Sequence, residues 1–94
     1  MRVGLLTVSF RLPPVDTLKE RRSVVRRIVT DAHNAGPAFA VCEVPTDGDL
    51  RDLTIRVAHL STDGRFTDSA LRRLEERLAR NGGCEVVESG IEIL

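Results

Sequence analysis

Residues 2–12 alternate. Gly4, Leu6, Val8, Phe10 and Leu12 fall on one side of an extended chain, and Val3, Leu5, Thr7 and Ser9 on the other. A period of two with branched residues predicts a strand. Pro13-Pro14 ends it, because proline has no amide to donate to a ladder. Thr17-Leu18-Lys19-Glu20 has the form of a capping box, in which Thr17 accepts from the amide three residues on and Glu20 reaches back. The helix this opens runs to about Asn34, with Gly36 and Pro37 as stop signals. At about 100° per residue, Leu18, Val24, Val25, Ile28, Val29 and Ala32 share an arc of about 140°. Lys19, Arg22, Arg26 and His33 gather on the opposite side.

The second half repeats the alternation. Residues 38–44 predict a strand, and Pro45-Thr46-Asp47-Gly48-Asp49 is turn chemistry. Residues 52–61 set Leu53, Ile55, Val57 and His59 against Thr54, Arg56, Ala58 and Leu60, with Asp63-Gly64 breaking that strand. Residues 66–80 predict a second amphipathic helix, with Ala70, Leu71, Leu74 and Leu78 inward and Gly82-Gly83 as its stop. Residues 84–94 predict a last strand. The order βαββαβ is most simply an α+β, ferredoxin-like sandwich. In that fold the antiparallel sheet runs 4-1-3-2, and both helices cover one face. The other face is then open. Val3 and Leu5, with Ile55, Val57 or Val87, are expected there as an apolar patch that a second copy would cover. A homodimer, through that face or through an edge strand, is therefore expected.

Length and composition narrow the class. Ninety-four residues make one domain, 1–94. With 41% hydrophobic and 30% charged residues the chain is globular and not disordered. No apolar run approaches the ~20 residues of a membrane span, and the N-terminus lacks the apolar stretch of a secretory signal. A cytoplasmic protein is expected.

Charge changes the picture more. Fourteen basic and fourteen acidic residues cancel. Residues 1–36 nevertheless carry seven basic against three acidic, and residues 37–64 two against five. A basic face on a neutral protein follows from such a split. Lys19, Arg22 and Arg26 are the candidate phosphate contacts on helix geometry, against an ordinary solvated helix face. Arg21 projects into the middle of the apolar arc, where an unpaired charge is costly. It is expected either to lean out and pair, with Glu43 a partner, or to touch an anion beside the first loop.

Other chemistry is sparse. Cys42 and Cys84 have no CxxC context and fall on or beside opposite sheet edges, so two free thiols are expected. His33 and His59 have no metal-ligand spacing; His59 reads as a satisfied core or interface histidine. Asp47-Gly48-Asp49 lacks the later glutamate of a calcium loop and reads as a turn. No metal and no cofactor is expected. An acylphosphatase needs a glycine-rich cradle after strand 1 and an asparagine on strand 3. Here the loop is Arg11-Leu12-Pro13-Pro14-Val15-Asp16 and strand 3 has no Asn. An RNA-recognition domain stacks bases on aromatics of strands 1 and 3, and strand 3 has none. A non-enzymatic role is expected, and any nucleic-acid contact should be phosphate-directed and salt-sensitive.

Val3-Gly4-Leu5-Leu6, Thr17-Leu18-Lys19-Glu20-Arg21-Arg22-Ser23-Val24, Ser61-Thr62-Asp63 and Glu92-Ile93-Leu94 together resemble the YlxP family of small bacterial proteins. The resemblance spans nearly the whole chain. Pro13-Pro14-Val15 and the short 46–49 turn depart from it. It implies a ferredoxin-like fold and, since genes of that family often lie beside translation-initiation and ribosome-maturation genes, a role at the ribosome or on RNA. The matching residues are Lys19, Arg21 and Arg22. The rival expectation is a dimeric module for a small molecule or a protein, with no nucleic-acid role.

Overall fold

The structure is a computed structural model that describes residues 1–80 and 83–94. Its elements run β1 (Arg2–Arg11), α1 (Leu18–His33), β2 (Phe39–Val44), β3 (Asp52–Ser61), α2 (Gly64–Ala79) and β4 (Glu85–Ile93). All pairings are antiparallel and the sheet order is β2-β3-β1-β4, the ferredoxin-like order expected. α1 packs over β2 and β3, and α2 over β1, β4 and β3.

The element ends follow their local chemistry. Thr17 caps α1 by accepting from the Glu20 amide at 3.1 Å. Glu20 reaches one residue further back than a capping box requires and accepts from the Asp16 amide at 3.2 Å. α2 starts two residues earlier than the hydrophobic period predicts. Asp63, expected only to break β3, is its N-cap and accepts from the Arg65 amide at 2.9 Å. Of the Gly82-Gly83 stop, Gly82 lies outside the described residues. Gly83 takes φ +84°, which its missing Cβ permits.

The core lies between sheet and helices. Leu6, Val8 and Phe10 of β1 and Leu53, Ile55 and Val57 of β3 are buried against Ile28, Leu71, Leu74 and Leu78. Gly4 continues the same face, and a Cβ there would run into Thr67 and Leu71, so its absence lets α2 sit close on β1. One expectation is corrected. Ile55 and Val57 pair with Val8 and Leu6 and face the helices, not the open side. The open face instead carries Leu5, Thr7 and Ser9 beside Ala58, Arg56 and Thr54. β4 holds one extra residue, Val87, where its register against Ser9 and Phe10 shifts, and Val87 is exposed. No helix among the described residues is long and apolar enough to cross a membrane.

Candidate functional site

Lys19, Arg22 and Arg26 all lie exposed on α1. The side of α1 that faces α2 is marked by Asp31, whose Oδ1 accepts from Arg77 Nη2 at 2.6 Å and Nε at 3.0 Å. At ~100° per residue the three cations sit about 120–180° around the helix from Asp31, pointing away from α2. None of the three has an ion pair among the described residues, and His33 ends the same arc. The two carboxylates of α1 itself are both turned elsewhere, Glu20 to the cap and Asp31 to Arg77. The arc is therefore positive and uncompensated.

Arg21 behaves differently. Its Nε donates to the Leu50 carbonyl at 3.1 Å, and its Nη2 to the Asp52 carbonyl at 3.0 Å and to Glu43 at 3.1 Å. Glu43 is the partner the sequence indicated; the two carbonyls are not visible in sequence. The side chain is 18% exposed. It ties α1 to the β2–β3 connection, and contact with a phosphate would require it to leave these acceptors.

The same connection is tied from β1. Arg11 Nη1 donates to Asp49 at 2.9 Å and to Asp52 at 2.7 Å, and Arg51 Nε donates to the Leu12 carbonyl at 2.8 Å. The Arg51 amide and the Arg11 guanidinium hold the Asp49 carboxyl below its ordinary range. The hydrogen bonds Arg11 donates to Asp49 and Asp52 hold its guanidinium above its own. The Asp47-Gly48-Asp49 segment is thus a turn whose last carboxylate is already engaged. Among the described residues no group of three or more His, Cys, Asp or Glu comes together as a metal site. Cys42 is exposed on the β2 edge, Cys84 is buried beside β4, and both are free.

On the open sheet face, Gly90 of β4 leaves a shallow depression of about 400 Å3. Arg56 lies on one side of it and Glu88 and Glu92 on the other, over the Thr7 and Ser9 hydroxyls. One end of the face is apolar: Val3 pairs with Leu60, and Leu94 donates its amide to Val3.

A second concavity, of about 300 Å3, was not foreseen. It lies between the end of α1, the start of β2 and α2. Its floor is His59, 2% exposed, between Phe39 at 4.7 Å and Phe66 at 5.7 Å, ring centre to ring centre. His59 Nδ1 is 3.2 Å from Thr67 Oγ1, and Thr67 Oγ1 is 2.5 Å from Ser61 Oγ. Burial holds the imidazole below its ordinary pKa, so it stays neutral. The alternation of β3 put His59 on the face of Ile55 and Val57 but did not say that the helices cover that face, and nothing local showed that three elements would meet around it.

A model of a protein family of unknown function, DUF503, matches residues 3–91. Among curated proteins none matches the chain in sequence. Among solved structures the chain is similar to the de novo designed protein Foldit4, with a TM-score of 0.58 at 14% identity, covering 100% of this chain and 97% of that one. A putative PII-like signaling protein from Thermus thermophilus gives a TM-score of 0.49 at 14% identity, covering 99% of this chain and 86% of that one. At such identity the likeness to Foldit4 speaks for the fold alone.

Proposed function

This chain belongs to the DUF503 family, and we propose that it is a non-enzymatic accessory protein that docks on the phosphate backbone of ribosomal RNA through Lys19, Arg22 and Arg26. The carrying observation is the acid-free arc of α1, where three cations have no ion pair among the described residues. Lys19 lies in the first turn of the helix, where a cation opposes the macrodipole by up to ~1 kcal/mol. A bound phosphate reverses that sign, because helix N-termini favour anions. Base stacking on the sheet has no support, since the open-face residues of β1 and β3 carry no aromatic ring. The contact is therefore with the backbone. The resemblance to the YlxP family supports the ribosome as the setting, and the cytoplasm as the location. Co-sedimentation with ribosomal subunits tests the reading: association at low salt that disappears at high salt is expected. Equal association of the Lys19→Ala/Arg22→Ala/Arg26→Ala variant would overturn it.

We further propose a homodimer through the open sheet face. A two-fold axis over the sheet lays the acidic β4 of one copy across Arg56 of the other and buries the apolar end at Val3, Leu60 and Leu94. Sedimentation at micromolar concentration should give twice the 10.4 kDa chain mass. Arg56→Glu should give the monomer, and a monomeric parent protein would end this reading.

A further inference from the structure

We propose that the concavity floored by His59 is a binding site for a small aromatic acid whose ring carries an N–H or O–H donor.

Hydrogen accounting sets the chemistry of the floor. The single hydroxyl hydrogen of Ser61 goes to the Asp63 carbonyl at 2.7 Å. The 2.5 Å contact between Ser61 and Thr67 must then be made by the Thr67 hydrogen. Thr67 Oγ1 is left to accept, so the hydrogen between it and His59 belongs to Nδ1. Nε2 carries the lone pair. The ring is neutral because burial disfavours its charged form.

Nε2 has no hydrogen-bond partner among the described residues, yet no sealed side-chain nitrogen or oxygen is left unsatisfied. Its opening is the groove that the ring lines. An acceptor at the bottom of an apolar groove calls for a ligand with a donor. Phe39 and Phe66 flank it with aromatic surface, and Phe66 is 54% exposed. A planar ring matches those walls.

The rim sets the charge. Arg73 lines the groove and has no carboxylate partner among the described residues. Arg77 gives Nε and Nη2 to Asp31 and keeps Nη1. Among the described residues no acidic side chain lines the groove. The rim therefore attracts an anion, and a carboxylate matches a guanidinium in geometry. A volume of about 300 Å3 suits a one- or two-ring acid and is at the small end for ligand sites.

The site is on the α2 side of α1, away from the phosphate-binding arc, so it stands or falls separately from that reading. The chain has no Trp and no Tyr, so indole fluorescence can be read without a protein background. Indole-3-acetate is the probe; indole lacks its anion, and naphthalene-1-acetate lacks its donor. Saturable binding of indole-3-acetate is expected, tighter than either comparator. Arg73→Ala should weaken indole-3-acetate about tenfold and leave indole unchanged. Phe66→Ala, on the surface, should weaken all three. Lys19→Ala/Arg22→Ala/Arg26→Ala should change none. His59→Leu, which has no acceptor and is checked for folding by its melting, should erase the preference for indole-3-acetate over naphthalene-1-acetate. No saturation up to ~5 mM, or equal binding by parent and Arg73→Ala, would overturn the proposal. So would binding of uridine 5′-monophosphate in preference to indole-3-acetate.

Discussion

Arg21 and Arg22 are neighbours in the chain and face different solvents. Arg21 points under the helix, where two backbone carbonyls and Glu43 surround its guanidinium. Arg22 stands on the exposed arc and meets no carboxylate among the described residues. A single helical step of ~100° separates a structural clamp from a surface charge. Residue type therefore says little about use. Position relative to the buried arc, and what the rest of the chain brings opposite, decides it.

Stability separates the two arginines most sharply. Arg21→Ala leaves the Leu50 and Asp52 carbonyls without this donor and should cost about 2–3 kcal/mol, read as a lowered melting temperature. Arg21→Lys should recover little, since one ammonium cannot replace the fork. Arg22→Ala should stay within ~0.5 kcal/mol. If the two alanine variants melt alike, the clamp is not a clamp.

Acid titration reads a second buried group. The folded His59 has its pKa depressed by burial. The unfolded chain therefore takes up the proton first as pH falls through ~6.5. Stability is full above that value and declines below it. Asp49 is also depressed and loses its contribution in more acid solution, as pH falls below the ordinary Asp range. Urea midpoints at neutral pH and at mildly acid pH check the first step; equal midpoints would contradict it.

The smallest expected effects belong to exposed pairs. Arg72 is held by Asp68 one turn away on α2, at 2.8 Å, and both are open to water. Arg72→Ala should leave the melting curve unchanged. A marked loss there would show that surface pairing matters in this fold as much as the Arg21 clamp.

The fold was largely legible. Period-two runs in residues 2–12 and 52–61, the Thr17 cap and the α1 apolar arc each state one element, and the βαββαβ order then leaves few topologies. What failed was the choice of face for Ile55 and Val57. Alternation divides a strand into two faces but does not say which one the helices cover. That is set by pairing with Leu6 and Val8, a contact between distant segments. The site was legible in the same measure. The α1 stripe follows from helix angle alone. The carbonyls that hold Arg21 come from a turn about thirty residues away, and the His59 groove needs α1, β2 and α2 in place. Neither leaves a local pattern.

On this reading the unpaired cations of α1 meet phosphate and the paired ones do not. The most direct measurement is the dependence of RNA affinity on salt for the parent protein and for the Lys19→Ala/Arg22→Ala/Arg26→Ala variant. Removing three cations that neutralise phosphates of single-stranded RNA should flatten the log–log salt slope by about 2, with folding intact. Identical slopes for the two proteins would show that these cations do not meet phosphate.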